Sequence, residues 1–129
     1  MSENIINEGK EYGNVNISDD VVAIIAGVAA TEISGVAGMS GGITGGITEM
    51  LGMKNLSKGV KVELRNDETI LDIFIIVEYG SNISTIGKKV QRNVKDSIET
   101  MTGLNVSKVN INVQGVNTKK ETEDQDDLQ

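Results

Sequence analysis

The stretch TILDIFIIVEY, Thr69 to Tyr79, is the most apolar and most β-branched run of the chain and carries its single phenylalanine. Alternate positions place Leu71, Ile73, Ile75, Val77 and Tyr79 on one face, and Phe74 and Ile76 make the opposite face apolar as well. A strand with apolar side chains on both faces belongs in the middle of a sheet or under another layer, because either face left in water would forfeit the free energy of burial. The other elements are therefore read by how they cover this one.

Immediately before it, Val60, Val62 and Leu64 alternate with Lys61, Glu63 and Arg65, the pattern of a half-buried strand. Asn66-Asp67-Glu68 supplies turn chemistry, so the two runs form a hairpin. Further upstream, EYGNVNI gives a short first strand through Tyr12, Val15 and Ile17, and Ser18 stands as the N-cap of a helix with Asp19 and Asp20 in its first turn. That helix spans Asp19 to Ser34 and stops at Gly35, after which VAGMS is a second strand.

Downstream, Gly80 to Ser84 opens a second helix that Gly103 closes, with Ile86, Val90, Val94, Ile98 and Met101 recurring as one inward stripe. The last strand runs from Leu104 to Val113. Its apolar positions change phase between Val106 and Val109, which implies a bulge or break at Ser107 and Lys108. An internal echo, YGNVNIS at Tyr12 and YGSNIS at Tyr79, each leading through a helix and a glycine to a strand, suggests two crossovers between parallel strands. The expected fold is α+β: two layers, a mixed five-stranded sheet with two helices on one face, in the order β-α-β-β-β-α-β. With 129 residues the chain reads as one domain over 11–116. A flexible arm precedes it at 1–10, a Gly-rich loop interrupts it at about 41–59, and a disordered acidic tail occupies 117–129.

Composition removes most chemistry. There is no cysteine and no histidine, which excludes disulfides, thiolate nucleophiles, imidazole bases and the usual zinc ligands. No phosphate-loop, nucleophile-elbow or EF-hand spacing occurs, and Asp19 and Asp20 are better explained by the helix dipole than as an acid/base pair. The reading is therefore of a protein with no catalytic, cofactor-binding or metal-binding residues. The longest apolar run, Val21 to Ala30, is too short to span a bilayer. No signal peptide opens the chain, so a cytoplasmic location is expected. Net charge is −7, which argues against general affinity for nucleic acid or anionic lipid.

Surfaces for contact are easier to find. The first helix is apolar nearly all round, with Ile24, Ile25 and Val28 beside a filling of Ala and Gly; a central core helix and a subunit contact both fit that pattern. In GGITGGITEMLGMKNLSKG, Ile43, Ile47, Met50 and Met53 recur at helical spacing and could meet a partner, or the segment could simply connect. The second helix carries Lys88, Lys89, Arg92 and Lys95 as a basic ridge. The ridge is either a nucleic-acid surface or the solvated side of an amphipathic helix. The absence of interleaved aromatics favours the latter.

YGNVNIS from Tyr12, TEISGVAGM from Thr31, GVKVEL from Gly59, IIVEYGSNI from Ile75, KKVQRNVKDSIETMTGL from Lys88 and VNINVQGV from Val109 together resemble the bacterial alkaline shock, or envelope stress response, protein family. The likeness spans Glu11 to Val116. It implies a small α/β domain without enzymatic activity, found mainly in Gram-positive bacteria and linked to cell-envelope homeostasis near the inner face of the membrane. It also implies self-association, so a homo-oligomer is expected, with a small membrane-anchored protein as a second partner. The expected function is that of a membrane-proximal scaffold or adaptor; a small nucleic-acid-binding domain using the second helix is the alternative.

Overall fold

A computed structural model describes residues 5, 6, 12–41 and 57–118. Its elements are β1 (Ile5–Ile6), β2 (Val15–Asn16), α1 (Asp19–Thr31), β3 (Val36–Met39), β4 (Val60–Arg65), β5 (Glu68–Glu78), α2 (Ile83–Thr102) and β6 (Val106–Asn117). The fold is α+β in two layers, and from Val15 onward the element order is β-α-β-β-β-α-β. The GGIT repeats with Ile43, Ile47, Met50 and Met53, and the acidic tail from 119, lie outside the described residues.

β5 is the organising strand, as its composition requires. Parallel β6 pairs with it from Thr69↔Val106 to Glu78↔Asn117 and fills one edge. Antiparallel β4 pairs with it from Arg65↔Glu68 to Val60↔Ile73, and antiparallel β3 from Met39↔Ile75 to Val36↔Val77. Because one edge is already taken, β3 and β4 must share the other, end to end. The seam is the backbone of Phe74, whose N–H donates to Gly59 O and whose carbonyl accepts from Ser40 N, both at 2.8 Å. The sheet is thus three ranks wide, and the Gly-rich segment is inserted in the middle of what would otherwise be one long antiparallel partner.

The core lies between one face of this sheet and the two helices. Thr69, Leu71, Ile73, Ile75 and Val77 are buried along β5, facing Val22, Ala26 and Ala30 of α1 and Ile86, Val90, Val94 and Ile98 of α2. The opposite face of β5 carries half-buried Ile70, Phe74 and Ile76, with the Lys61 ammonium 5.6 Å from the centre of the Phe74 ring. Asn66 and Asp67 join β4 to β5 with φ of 48° and 70°, as the two central residues of a primed hairpin turn must.

Several expectations are corrected in detail. β2 is only two residues long and pairs with β1 in a separate ribbon, so the mixed sheet holds four of the five expected strands. Among the described residues, only β5-α2-β6 is a crossover between parallel strands; β2 pairs with β1, and both edges of β5 are filled without it. α1 ends at Thr31 rather than Ser34, and a turn through Gly35, at φ +103°, carries the chain into β3. Tyr79 lies beyond the end of β5 and is 76% exposed. Met101 is 69% exposed, because the inward stripe of α2 continues a full turn from Ile98 to Thr102. The Thr102 hydroxyl makes that position tolerable by donating to Ile98 O at 2.6 Å and accepting from Leu104 N at 3.0 Å.

The bulge inferred from phase is present: Thr69 pairs with Val106 and Ile70 with Lys108, leaving Ser107 as the extra residue. A second bulge leaves out Gln114, between Ile75↔Val113 and Ile76↔Gly115. The step of three from Val113 to Val116 was its signal in the sequence.

Candidate functional site

Among the described residues, α1 and α2 make the outer layer, and each offers a different surface. α1 starts on the side chain of Ser18, whose Oγ accepts from Val21 N at 3.3 Å, with Asp19 and Asp20 in the first turn against the positive end of the dipole. Its inner arc is built from Val22, Ala23, Ala26, Gly27, Ala29 and Ala30, all buried. Small residues bring the helix close to its neighbours. The outer arc consists of Val21, Ile24, Ile25 and Val28, and no charged residue occurs from Val21 to Thr31.

Of the predicted contact residues on α1, Val28 is 36% exposed, Ile24 is half-buried, and Ile25 is half-buried and packs against the core. Val21, not singled out from the sequence, is 45% exposed and extends the same strip. Its position one helical turn and three residues before Val28 was the available signal.

On α2, Lys88, Lys89 and Arg92 are exposed on the outer side. Lys95 is different: its Nζ donates to Val106 O at 2.7 Å and to Glu99 Oε2 at 2.9 Å. The same Glu99 oxygen accepts from Val106 N at 3.0 Å. The pair thus clamps both backbone groups of the residue that opens β6, next to the Ser107 bulge. The hydrogen bond from Lys95, then that from the Val106 N–H, holds the Glu99 carboxyl below its ordinary pKa. Lys95 therefore serves the fold as well as the ridge.

A residue from another element joins these cations. Lys108 of β6 lines, with Lys88, Arg92 and Lys95, a groove of about 530 Å³ between α2 and β6. Gln91 bridges the two elements by donating from Nε2 to Val109 O at 3.0 Å, and Asp96 is the one carboxylate of the lining. A second concavity, of about 370 Å³, lies on the other side of Lys88 and Arg92 against Ile33. Asn93 ties the helices together, its Nδ2 donating to Ala29 O at 2.8 Å and to Glu32 Oε1 at 3.1 Å. Glu32, the odd charge of the apolar helix, is thereby part of the interhelical joint. Among the described residues, no three acidic side chains gather to hold a metal ion, and no helix is long and apolar enough to cross a membrane.

These features define a two-layer α+β domain with an uncharged helix face on one side of its helical layer and a cationic groove on the other. The chain belongs to the alkaline shock protein family, which is described as having a cell envelope-related function and whose model matches residues 7–118. This is the family that the sequence motifs indicated. The chain is 42% identical to YloU of Bacillus subtilis over 108 residues, covering 82% of this chain and 90% of that protein. It is 37% identical to YqhY of the same organism over 109 residues, covering 84% and 81%. It is 29% identical over 112 residues to a stress response regulator gls24 homolog of Streptococcus pyogenes, covering 86% of this chain and 63% of the relative.

Proposed function

We propose that the protein works without catalysis, as a scaffold or adaptor at the cytoplasmic side of the cell envelope that associates with its own copies and with a membrane-anchored partner. The observation that supports this most directly is the outer face of α1. Four aliphatic side chains, Val21, Ile24, Ile25 and Val28, lie there without a single interspersed charge. Fully burying one such side chain contributes about 1.5 to 3 kcal/mol, so covering even the exposed parts of four favours association. A second copy can offer the same strip to a two-fold contact, in which each residue meets its own counterpart or a near neighbour.

Light scattering of the purified chain across a wide concentration range tests this reading. Molar mass is expected to climb with concentration. Val28→Asp is expected to hold the mass at that of the monomer while circular dichroism and Tm stay close to those of the parent, because Val28 already reaches solvent. A parent protein that remains monomeric throughout would refute self-association.

A further inference from the structure

We propose that the groove between α2 and β6 is a docking site for the acidic segment Glu121 to Asp127 of the same chain. Beside Lys95, which Glu99 holds, Lys88 and Arg92 on one wall and Lys108 on the other bring three further cations to one concavity, with Lys89 beside them on the ridge and Asp96 as the opposing charge. The ion pairs Lys95–Glu99 and Arg65–Glu63 involve none of Lys88, Lys89, Arg92 and Lys108. The polar groups of the floor are already satisfied: Gln91 bonds the Val109 carbonyl, and Lys95 with Glu99 holds the Val106 backbone. What the groove still offers is positive charge, in a chain whose net charge is −7. Its natural ligand is a short polyanion.

Such a segment starts at the right place. Asn117, the last residue of β6, accepts at its carbonyl from Tyr79 N at 2.9 Å, so the chain leaves the sheet at the end where Asn82 caps the start of α2. Lys88 and Lys89 lie in the second turn of that helix and are the first cations met on the way back along it. Three residues carry the chain from Thr118 to Glu121 and span up to about 10 Å, and the seven residues of ETEDQDD extend up to about 24 Å more. The ridge from Lys88 to Lys95 is about 10 Å long. Reach to Lys88, Lys89 and Arg92 is therefore ample, and Glu121, Glu123, Asp124, Asp126 and Asp127 place five carboxylates within seven positions.

Because the chain has no cysteine, Gln125→Cys gives a single attachment point for a nitroxide on the full-length protein. Paramagnetic loss of amide signal is expected at Lys88, Lys89, Arg92 and Lys108 in low salt. Signal should return at about 0.5 M salt, where the screening length falls to roughly 4 Å. It should also return in the tagged chain carrying Lys88→Glu and Arg92→Glu, both on the outer side of α2. No loss in low salt, or loss centred on another surface, would overturn the proposal. So would the same loss in isotope-labelled, untagged chain mixed with unlabelled, tagged chain, since the contact would then run between molecules.

Discussion

Gly35 shows how much one residue can decide. It holds φ at +103°, its carbonyl accepts from Glu78 N at 2.8 Å to start the β3 pairing, and a Cβ built on it would run into the side chain of buried Ile86. Gly80 has a similar φ of +91° but open space around its Cα. Gly35→Ala is expected to cost about 1 to 3 kcal/mol in thermal unfolding, more than Gly80→Ala, which meets only the backbone strain. Equal losses would show that Ile86 yields without cost. The hairpin residue Asp67 presents the opposite case. At φ +70° it sits where glycine is preferred, so Asp67→Gly should raise stability by about 0.5 to 1 kcal/mol, read from the same melting curves. These positions were partly legible beforehand: the glycine after an apolar helix and the Asn-Asp between alternating strands mark turns. The contact with Ile86 was not, because it joins residues brought together only when α2 packs beside the end of α1.

At the scale of the element, the join between α2 and β6 depends on side chains that the pattern of each segment does not explain. Lys95 belongs to the basic ridge by helical spacing, yet its length lets it reach the Val106 carbonyl, and Glu99 meets both partners from one turn further on. The Glu99 carboxyl titrates below its ordinary pKa, so its contribution to stability is complete above the ordinary value and is lost as pH falls through the lowered one. Glu99→Gln should therefore lower stability near neutral pH by about 1 kcal/mol, with partial solvent exposure limiting the effect. The gap from the parent should shrink once pH falls below about 4, as followed by urea denaturation across a pH series. A gap independent of pH would mean that the charge contributes nothing to the clamp. The phase change in the last strand announced the bulge that this clamp supports, whereas the clamp itself had no signature beyond a Lys and a Glu four residues apart.

At the scale of the whole molecule, the division of labour is between a core held against one face of the sheet and a helical layer that faces outward. A Val28→Asp variant that stays folded but no longer assembles would place association on the outside of that layer, with the core untouched. Composition, periodicity and turn residues by themselves determined the central place of Thr69 to Glu78, both helices and the N-cap of the first, the β4-β5 hairpin and the first bulge of β6. Each of these is a local pattern, set by which residues can bury an alternating or a helical face. Tertiary structure alone decided that β3 and β4 share one edge, that β2 leaves the sheet, that Lys108 joins the cations of α2 in one groove, and that Lys95 and Glu99 hold the Val106 backbone. Those outcomes turn on which edge of β5 is already occupied and which side chain finds a partner across the gap between elements. Competition between segments distant in the chain is resolved only when they meet.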